Sequence, residues 1–435
     1  MSKRVIIMGA AGKDFHVFNT VYKSRIDYEV VCFTAAQIPN IQDRVYPSRL
    51  AGDRYADGIP IHSEDDLAGL IREYNVDEVV FAYSDVSYDF IEQCETAVQH
   101  AGAEFTLAPV NPIMIPSLKP VIAVTAVRTG CGKSQTTRYL ANLLRDKGRR
   151  VAIVRHPMPY GELASQEIQK FKELEDLERH QCSIEEMEEY EPHLLNGHVV
   201  FAGVDYCRIL LEAEKEADII IWDGGNNDVP FFRPDIWICV SDPHRPGHEH
   251  HYYPGKINFE RCNIILINKC DTAIPANIDT VVENAKSFNP NARVIKTNSP
   301  YKASDPGLIK DAKVLVIEDG PTVTHGEMKF GAGFLAAKDH GAREVIDPRD
   351  SAVGSIAEVY AKYPDIGLVL PAIGYGKEQI EDLQQTIKNS NCEVVVMATP
   401  VDLSRFIEVE QPIVRVTYEL DEGDSPVLEE VLKDL

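Results

Sequence analysis

Positive charge is scarce in this chain: 44 Lys and Arg stand against 68 Asp and Glu in 435 residues, a net of −24. A surface that acidic repels phosphodiester backbones and anionic lipid headgroups, which argues against nucleic-acid partners and membrane adhesion. No apolar run approaches the ~20 residues of a membrane span. Met1-Ser2-Lys3-Arg4-Val5 leads straight into strand-like sequence with no export-signal core, so a cytoplasmic location is expected. The nine cysteines are scattered without a Cys-x-x-Cys pair and read as reduced thiols. A repeat of solenoid period is also lacking. What remains is ordinary globular composition, 44% apolar and 26% charged, at a length that suits several domains.

Short Val- and Ile-rich runs alternate with helix-length amphipathic stretches, the pattern of an α/β protein with three blocks of parallel sheet and flanking helices. The first block, 1–110, has strand candidates at Val5–Ile7, Glu29–Phe33, Glu78–Ala82 and Glu104–Leu107, a Rossmann-like arrangement. Gly9-Ala10-Ala11-Gly12 follows its first strand and reads either as a tight turn or as a dinucleotide-facing one. Residues 111–120 form a Pro-rich linker. The central P-loop NTPase block spans 121–300 and the C-terminal α/β block 301–435. Within the central block, an acidic helical insertion is expected near 162–193. Ile168, Phe171, Leu174 and Leu177 are spaced for one amphipathic helix there, either a solvated excursion or a lid.

The strongest chemical signal is Thr129-Gly130-Cys131-Gly132-Lys133-Ser134-Gln135, between the strand Val121–Val124 and a helix. Successive backbone N–H groups of such a loop wrap phosphates; Lys133 reaches the β/γ-phosphates and the Ser134 hydroxyl ligates Mg²⁺. Val127 replaces the usual first glycine. Asp223 ends the apolar strand Ile219–Trp222 ahead of Gly224-Gly225, a Walker-B position that supports Mg²⁺ with Ser134. Asn268-Lys269-Cys270-Asp271 after another strand is the guanine-reading pattern, in which one carboxylate accepts two guanine donors that adenine lacks. That motif favours GTP, and the base is left open between ATP and GTP.

Arg128, Arg155, His156, Arg233, His244, Arg245 and His248 lie near strand ends and could form a cationic pocket for a small anionic metabolite. Lys133, Arg128 and Asp223 are the catalytic candidates. His244, His248, His250 and His251 have transition-metal binding as their alternative reading. The third block carries a glycine-rich loop, Glu318 to Gly333, in which His325 and Lys329 are minor catalytic nominations, and Gly374-Tyr375-Gly376-Lys377 follows a further strand.

These motifs, with Val154-Arg155-His156-Pro157-Met158-Pro159-Tyr160-Gly161, Trp222-Asp223-Gly224-Gly225-Asn226-Asn227-Asp228 and Asp242-Pro243-His244-Arg245-Pro246-Gly247-His248, resemble the predicted-GTPase family that includes cyclic 2,3-diphosphoglycerate synthetase. Its P-loop branch also holds MinD and dethiobiotin synthetase. Many of that branch carry a second lysine where this chain has Arg128, so the resemblance implies that Arg128 steadies the transferring phosphoryl. It further implies phosphoryl transfer to 2,3-bisphosphoglycerate with closure of an intramolecular anhydride, and a homodimer by analogy. A GTPase switch or metal-delivery factor, driven by a protein partner, is the alternative.

Overall fold

The three apolar blocks become three separate sheets in the computed structural model, which describes residues 2–36, 44–156, 163–372, 376–423 and 426–435. The expected Pro157–Gly161 motif and the Gly374-Tyr375 pair lie outside the described residues. In the N-terminal domain the strands are β1 (Lys3–Met8), β2 (Tyr28–Ala35), β3 (Val45–Tyr46), β4 (Ile59–Ser63), β5 (Glu78–Phe81), β6 (Val86–Ser87) and β7 (Glu104–Leu107). They line up as β3-β4-β2-β1-β5-β7, with only β3 antiparallel. Val5, Ile6, Ile7 and Met8 are fully buried because helices cover both faces, which explains the unbroken apolar run. The order reverses between β1 and β5, the switch point beside which doubly wound sheets take their ligands.

The central sheet contains β8 (Val121–Ala126), β9 (Val151–Arg155), β10 (Gln169–Phe171), β11 (Val199–Ala202), β12 (Ile219–Asp223), β13 (Ile236–Ser241), β15 (Ile264–Ile267) and β16 (Arg293–Lys296). Its order is β10-β11-β9-β12-β8-β13-β15-β16. All neighbours are parallel except β10, so β8, β9, β12, β13 and β15 end along one edge. β14 (Tyr252–Tyr253) leaves this domain and pairs antiparallel with β6, stitching the first two domains together. The third sheet is built from β17 (Tyr301–Ala303), β18 (Lys313–Asp319), β19 (Glu344–Val345), β20 (Leu370–Ala372), β21 (Val394–Ala398) and β22 (Ile413–Tyr418). Its order is β17-β22-β21-β18, with β19 and β20 both pairing β18. No described helix is long and apolar enough to cross a membrane.

Three segments differ from the sequence expectation. Ile168 to Leu177 is not one helix: Gln169–Phe171 pairs antiparallel with β11, and helices occupy Glu175–Arg179 and Ile184–Leu195. Phe171 is fully buried under Tyr190, so tertiary packing overrides the three-residue spacing. The Pro-rich linker is pinned: Ile115 bridges to Phe232, and His16 Nε2 lies 2.7 Å from the Ile113 carbonyl. The chain end leaves the third domain, with Leu420, Leu428 and Leu432 joining the core shared by the first two domains.

Candidate active site

The loop between β8 and the helix Lys133–Asp146 is shaped by two glycines, Gly130 at φ +81° and Gly132 at φ +107°, backbone that other residues adopt only with strain. A Cβ on Gly132 would lie 2.2 Å from Asn268 Nδ2, so that position must also be small. Lys133 Nζ pairs with Asp223 Oδ1 at 2.5 Å. Burial lowers Lys133 to about 8, against the opposing pull of Asp223. Burial alone would raise the Asp223 carboxyl; the Arg155 and Lys133 charges outweigh it and hold the group well below the usual carboxylate range. Arg155 pairs with the second Asp223 oxygen and with Glu189. His193 Nε2 stands 3.8 Å from that same oxygen, and burial lowers its pKa to about 4. An ionised carboxylate, a lysine and an arginine thus meet at the first turn of the P-loop helix, where Ser134 is half-buried.

The Asn-Lys-x-Asp segment braces this loop from the side. Asn268 is fully buried; its amide donates to the Cys131 carbonyl at 3.1 Å and its oxygen accepts from Thr297 Oγ1 at 3.1 Å. Lys269 donates to the Gly130 carbonyl at 2.5 Å and pairs with Asp242 at 2.7 Å. Gln135 accepts from Ser299 Oγ at 3.2 Å, and Asp271, which is exposed, accepts from the Ser299 amide at 3.0 Å.

The expected cationic pocket separates into distinct parts. Arg245 staples the loop, donating to the Thr129 carbonyl at 2.9 Å and the Cys131 sulfur at 3.4 Å while pairing with Asp242 at 3.1 Å. His244 is turned to Thr272 Oγ1 at 2.9 Å. Arg128, 1% exposed, takes its partners outside the Lys133–Asp223 pair. It pairs with Asp85 at 2.7 Å, meets His248 Nδ1 at 3.3 Å, donates to the His325 carbonyl and lies 3.4 Å from the Tyr252 ring centre. Three domains therefore meet on this one guanidinium. Arg233 is exposed at the amino end of β13, the opposite edge of the sheet, and does not join the group. Lys329 is exposed too, and His325 contributes its carbonyl to Arg128. Among the described residues no group of three His, Cys, Asp or Glu is placed to hold a metal ion.

His156, buried, stands between two glycines: a Cβ on Gly12 would fall 1.7 Å from its Nε2, and one on Gly225 would fall 2.8 Å from its Cβ. The turn after β1 therefore packs on the active edge of the central sheet. The third domain covers the other side, with Thr322 so close that a Cβ on Gly130 would fall 2.8 Å from its methyl group. Its glycine-rich loop folds over the buried Glu318, which accepts from the Gly331 and Phe334 amides at 3.1 and 2.8 Å. Sequence reasoning missed Asp85, His193 and Tyr252; nothing local marks them, because each acts across a domain or sheet boundary.

No protein-family model matches the chain. It is 56% identical over 432 residues to the arginine synthetase ArcE of Thermococcus kodakarensis, spanning 99% of this chain and 96% of that one. It is 22% identical over 315 residues to the cyclic 2,3-diphosphoglycerate synthetase of Rubrobacter xylanophilus, spanning 64% of this chain and 69% of that one. Among solved structures, LpxK from Aquifex aeolicus in complex with ATP aligns over 85% of this chain and 99% of its own, at 13% identity and TM-score 0.44. Cobyrinic acid a,c-diamide synthase from Mycobacterium smegmatis with ADP and magnesium aligns over 41% and 74%, at 16% identity and TM-score 0.19. Likenesses that loose carry no argument. The near-complete match to the Thermococcus protein does, and the chain belongs to the arginine synthetase ArcE family, an enzyme of synthetase type built on a P-loop.

Proposed function

We propose that this enzyme makes arginine by exchanging an oxygen for a nitrogen at the expense of a nucleoside triphosphate. The observation that carries the reading is the 56% identity, end to end, with a protein named for arginine synthesis. The chemistry follows from the product. A guanidinium differs from a ureido group by one nitrogen in place of the carbonyl oxygen. That oxygen attacks the γ-phosphorus and the β–γ bond breaks, releasing the nucleoside diphosphate. Ammonia then adds to the activated carbon, and inorganic phosphate departs with the original oxygen. The ureido amino acid one nitrogen short of arginine is L-citrulline.

The site's residues suit the first step. The loop amides and Lys133 would hold the β- and γ-phosphates, and Arg155, paired with Asp223, would turn to the transferring phosphoryl as negative charge spreads over it. The Ser134 hydroxyl and the ionised Asp223 carboxylate are hard oxygen donors of the kind Mg²⁺ takes, and Mg²⁺ held there would neutralise phosphate charge. Asn268 and Lys269 brace the loop for either purine.

Phosphate release and arginine formation should be measured with ATP and with GTP, each with L-citrulline plus ammonia or with 2,3-bisphosphoglycerate. The expected result is arginine formed in step with phosphate, with Lys133→Ala losing at least about 100-fold. Release that depends on 2,3-bisphosphoglycerate, the reading favoured by the 22% relative, would overturn the arginine assignment. Slow hydrolysis indifferent to every metabolite would point to the switch.

A further inference from the structure

Burying charges that do not touch costs stability that an apolar seam would not, so such a place calls for a functional reason. The seam between the N-terminal domain and the P-loop domain has one. Lys13 comes from the turn after β1, Ser84 from the loop after β5, and Asp228 from the segment that follows β12. They are 4%, 8% and 2% exposed. The Lys13 ammonium donates to Ser84 Oγ and the Tyr253 hydroxyl, each at 3.2 Å, and to the Tyr83 carbonyl at 3.4 Å. All three acceptors are neutral. The Ser84 hydroxyl in turn donates to Asp228 Oδ1. An ammonium and a carboxylate therefore stand on either side of one hydroxyl. Asp14 does not fill the gap, because its carboxylate is taken up by the Ala11, Gly12 and Phe15 amides.

The placement is that of a substrate site. β1 and β5 are the strands at which the order of the sheet reverses, where doubly wound sheets take their ligands. Residues adjoining the hub in sequence touch the phosphate loop. Asp85, next to Ser84, accepts from the Thr129 amide at 3.3 Å, and Asn227, next to Asp228, donates to Thr129 Oγ1 at 3.2 Å. The phosphate loop is thus tied to residues one position away from the hub on both of these segments.

We propose that this hub binds the charged head of an α-amino acid, its carboxylate received by Lys13 and the Tyr253 hydroxyl, its ammonium by Asp228, with Ser84 between them. Such a head carries opposite charges on adjacent bonds, so it converts a separated pair into two direct ion pairs. Burial pushes the Asp228 carboxyl up to about 7, against the pull of Lys13, and a ligand ammonium would restore its charge. The site rests on the synthetase reading and names where its amino-acid substrate is held.

The test uses calorimetry on the full chain loaded with an ATP analogue that cannot be hydrolysed. The probes are L-arginine and agmatine, which is the same molecule without its carboxylate. The wild type should prefer L-arginine at least tenfold. Lys13→Gln should erase that preference and leave agmatine unchanged; Asp228→Asn should weaken both tenfold or more. Tyr253→Phe is the milder variant and should shrink the preference several-fold if Lys13→Gln does not fold. Binding of neither probe, equal binding of both by the wild type, or a preference that survives both Lys13→Gln and Tyr253→Phe overturns the site. Phosphate release by the wild type separates the two claims: stimulation by L-citrulline plus ammonia without head-group discrimination leaves the synthetase reading standing, whereas absent stimulation removes that reading itself.

Discussion

Asp85 and Arg128 form an ion pair at 2.7 Å with 4% and 1% of their side chains exposed, and the same carboxylate accepts the amide of Thr129 in the phosphate loop at 3.3 Å. The pair joins the N-terminal domain to the P-loop, and Arg128 continues to the third domain through the His325 carbonyl and Glu327. Removing Arg128 leaves the buried Asp85 carboxylate without this ion pair, and removing Asp85 leaves the buried Arg128 with only the half-exposed Glu327 as a charge partner among the described residues. Asp85→Ala or Arg128→Met alone should cost about 3–5 kcal/mol, and the double variant less than the sum of the two. Chemical denaturation of the four proteins measures the coupling. Additive losses would mean that the two residues act independently.

Asn268 and Asp271 come from one motif yet carry separable jobs. Asn268 is buried and holds the Cys131 carbonyl, so Asn268→Ala should destabilise the protein by about 1–3 kcal/mol whichever nucleotide is present. Asp271 is exposed and, among the described residues, accepts a hydrogen bond from the Ser299 amide alone, so Asp271→Ala should alter the ratio of ATP to GTP turnover with little change in melting temperature. Comparing kcat/KM for the two nucleotides checks this. An unchanged ratio would assign Asp271 to holding Ser299.

The phosphate loop, Asp223 and Asn268 were legible because each is a local pattern: a strand, a short fixed spacing, then glycine, acid or amide. Lys13, Ser84 and Asp228 were not, because their meeting depends on how two sheets pack, and 144 positions separate Ser84 from Asp228. The antiparallel edge strand β10 was hidden for the same reason: its three residues pair with β11 some thirty positions on, while their spacing also suits a helix. Arg233 was misplaced because a residue before a strand and one after it read alike until the direction of the sheet is known.

Gly12 is at φ −179°, extended backbone that any residue adopts, so its need to be small is steric alone. Its missing Cβ leaves room for the His156 ring. Gly12→Ala should therefore displace either His156 or the domain seam and lower kcat/KM at least tenfold. Gly69, in the helix Leu67–Glu73 with nothing within 4 Å of its would-be Cβ, is the control. Gly69→Ala should leave turnover alone and add about 0.5–1 kcal/mol of stability. Full activity in Gly12→Ala would show that the first domain tolerates movement at this contact.

Burial raises the Glu318 carboxyl from an ordinary value of 4.5 to about 8, against the Phe334 and Gly331 amides that favour its charge. Below pH 4.5 the folded and unfolded chains both hold the proton and the group costs nothing. Between 4.5 and 8 the unfolded chain releases it while the folded one keeps it, so stability falls as pH rises, levelling off above 8. The loss over that window sums to roughly 5 kcal/mol. Asp14 and Asp228, raised by burial to about 6 and 7, slope the same way and will leave a residual trend. Glu318→Gln keeps an oxygen for the two amides and has no proton to lose. Its melting temperature should match the wild type near pH 4.5 and exceed it by several degrees at pH 8. Parallel melting curves from pH 4.5 to 8.5 would show that Glu318 is ionised in the folded protein across the range, its charge held by the loop amides.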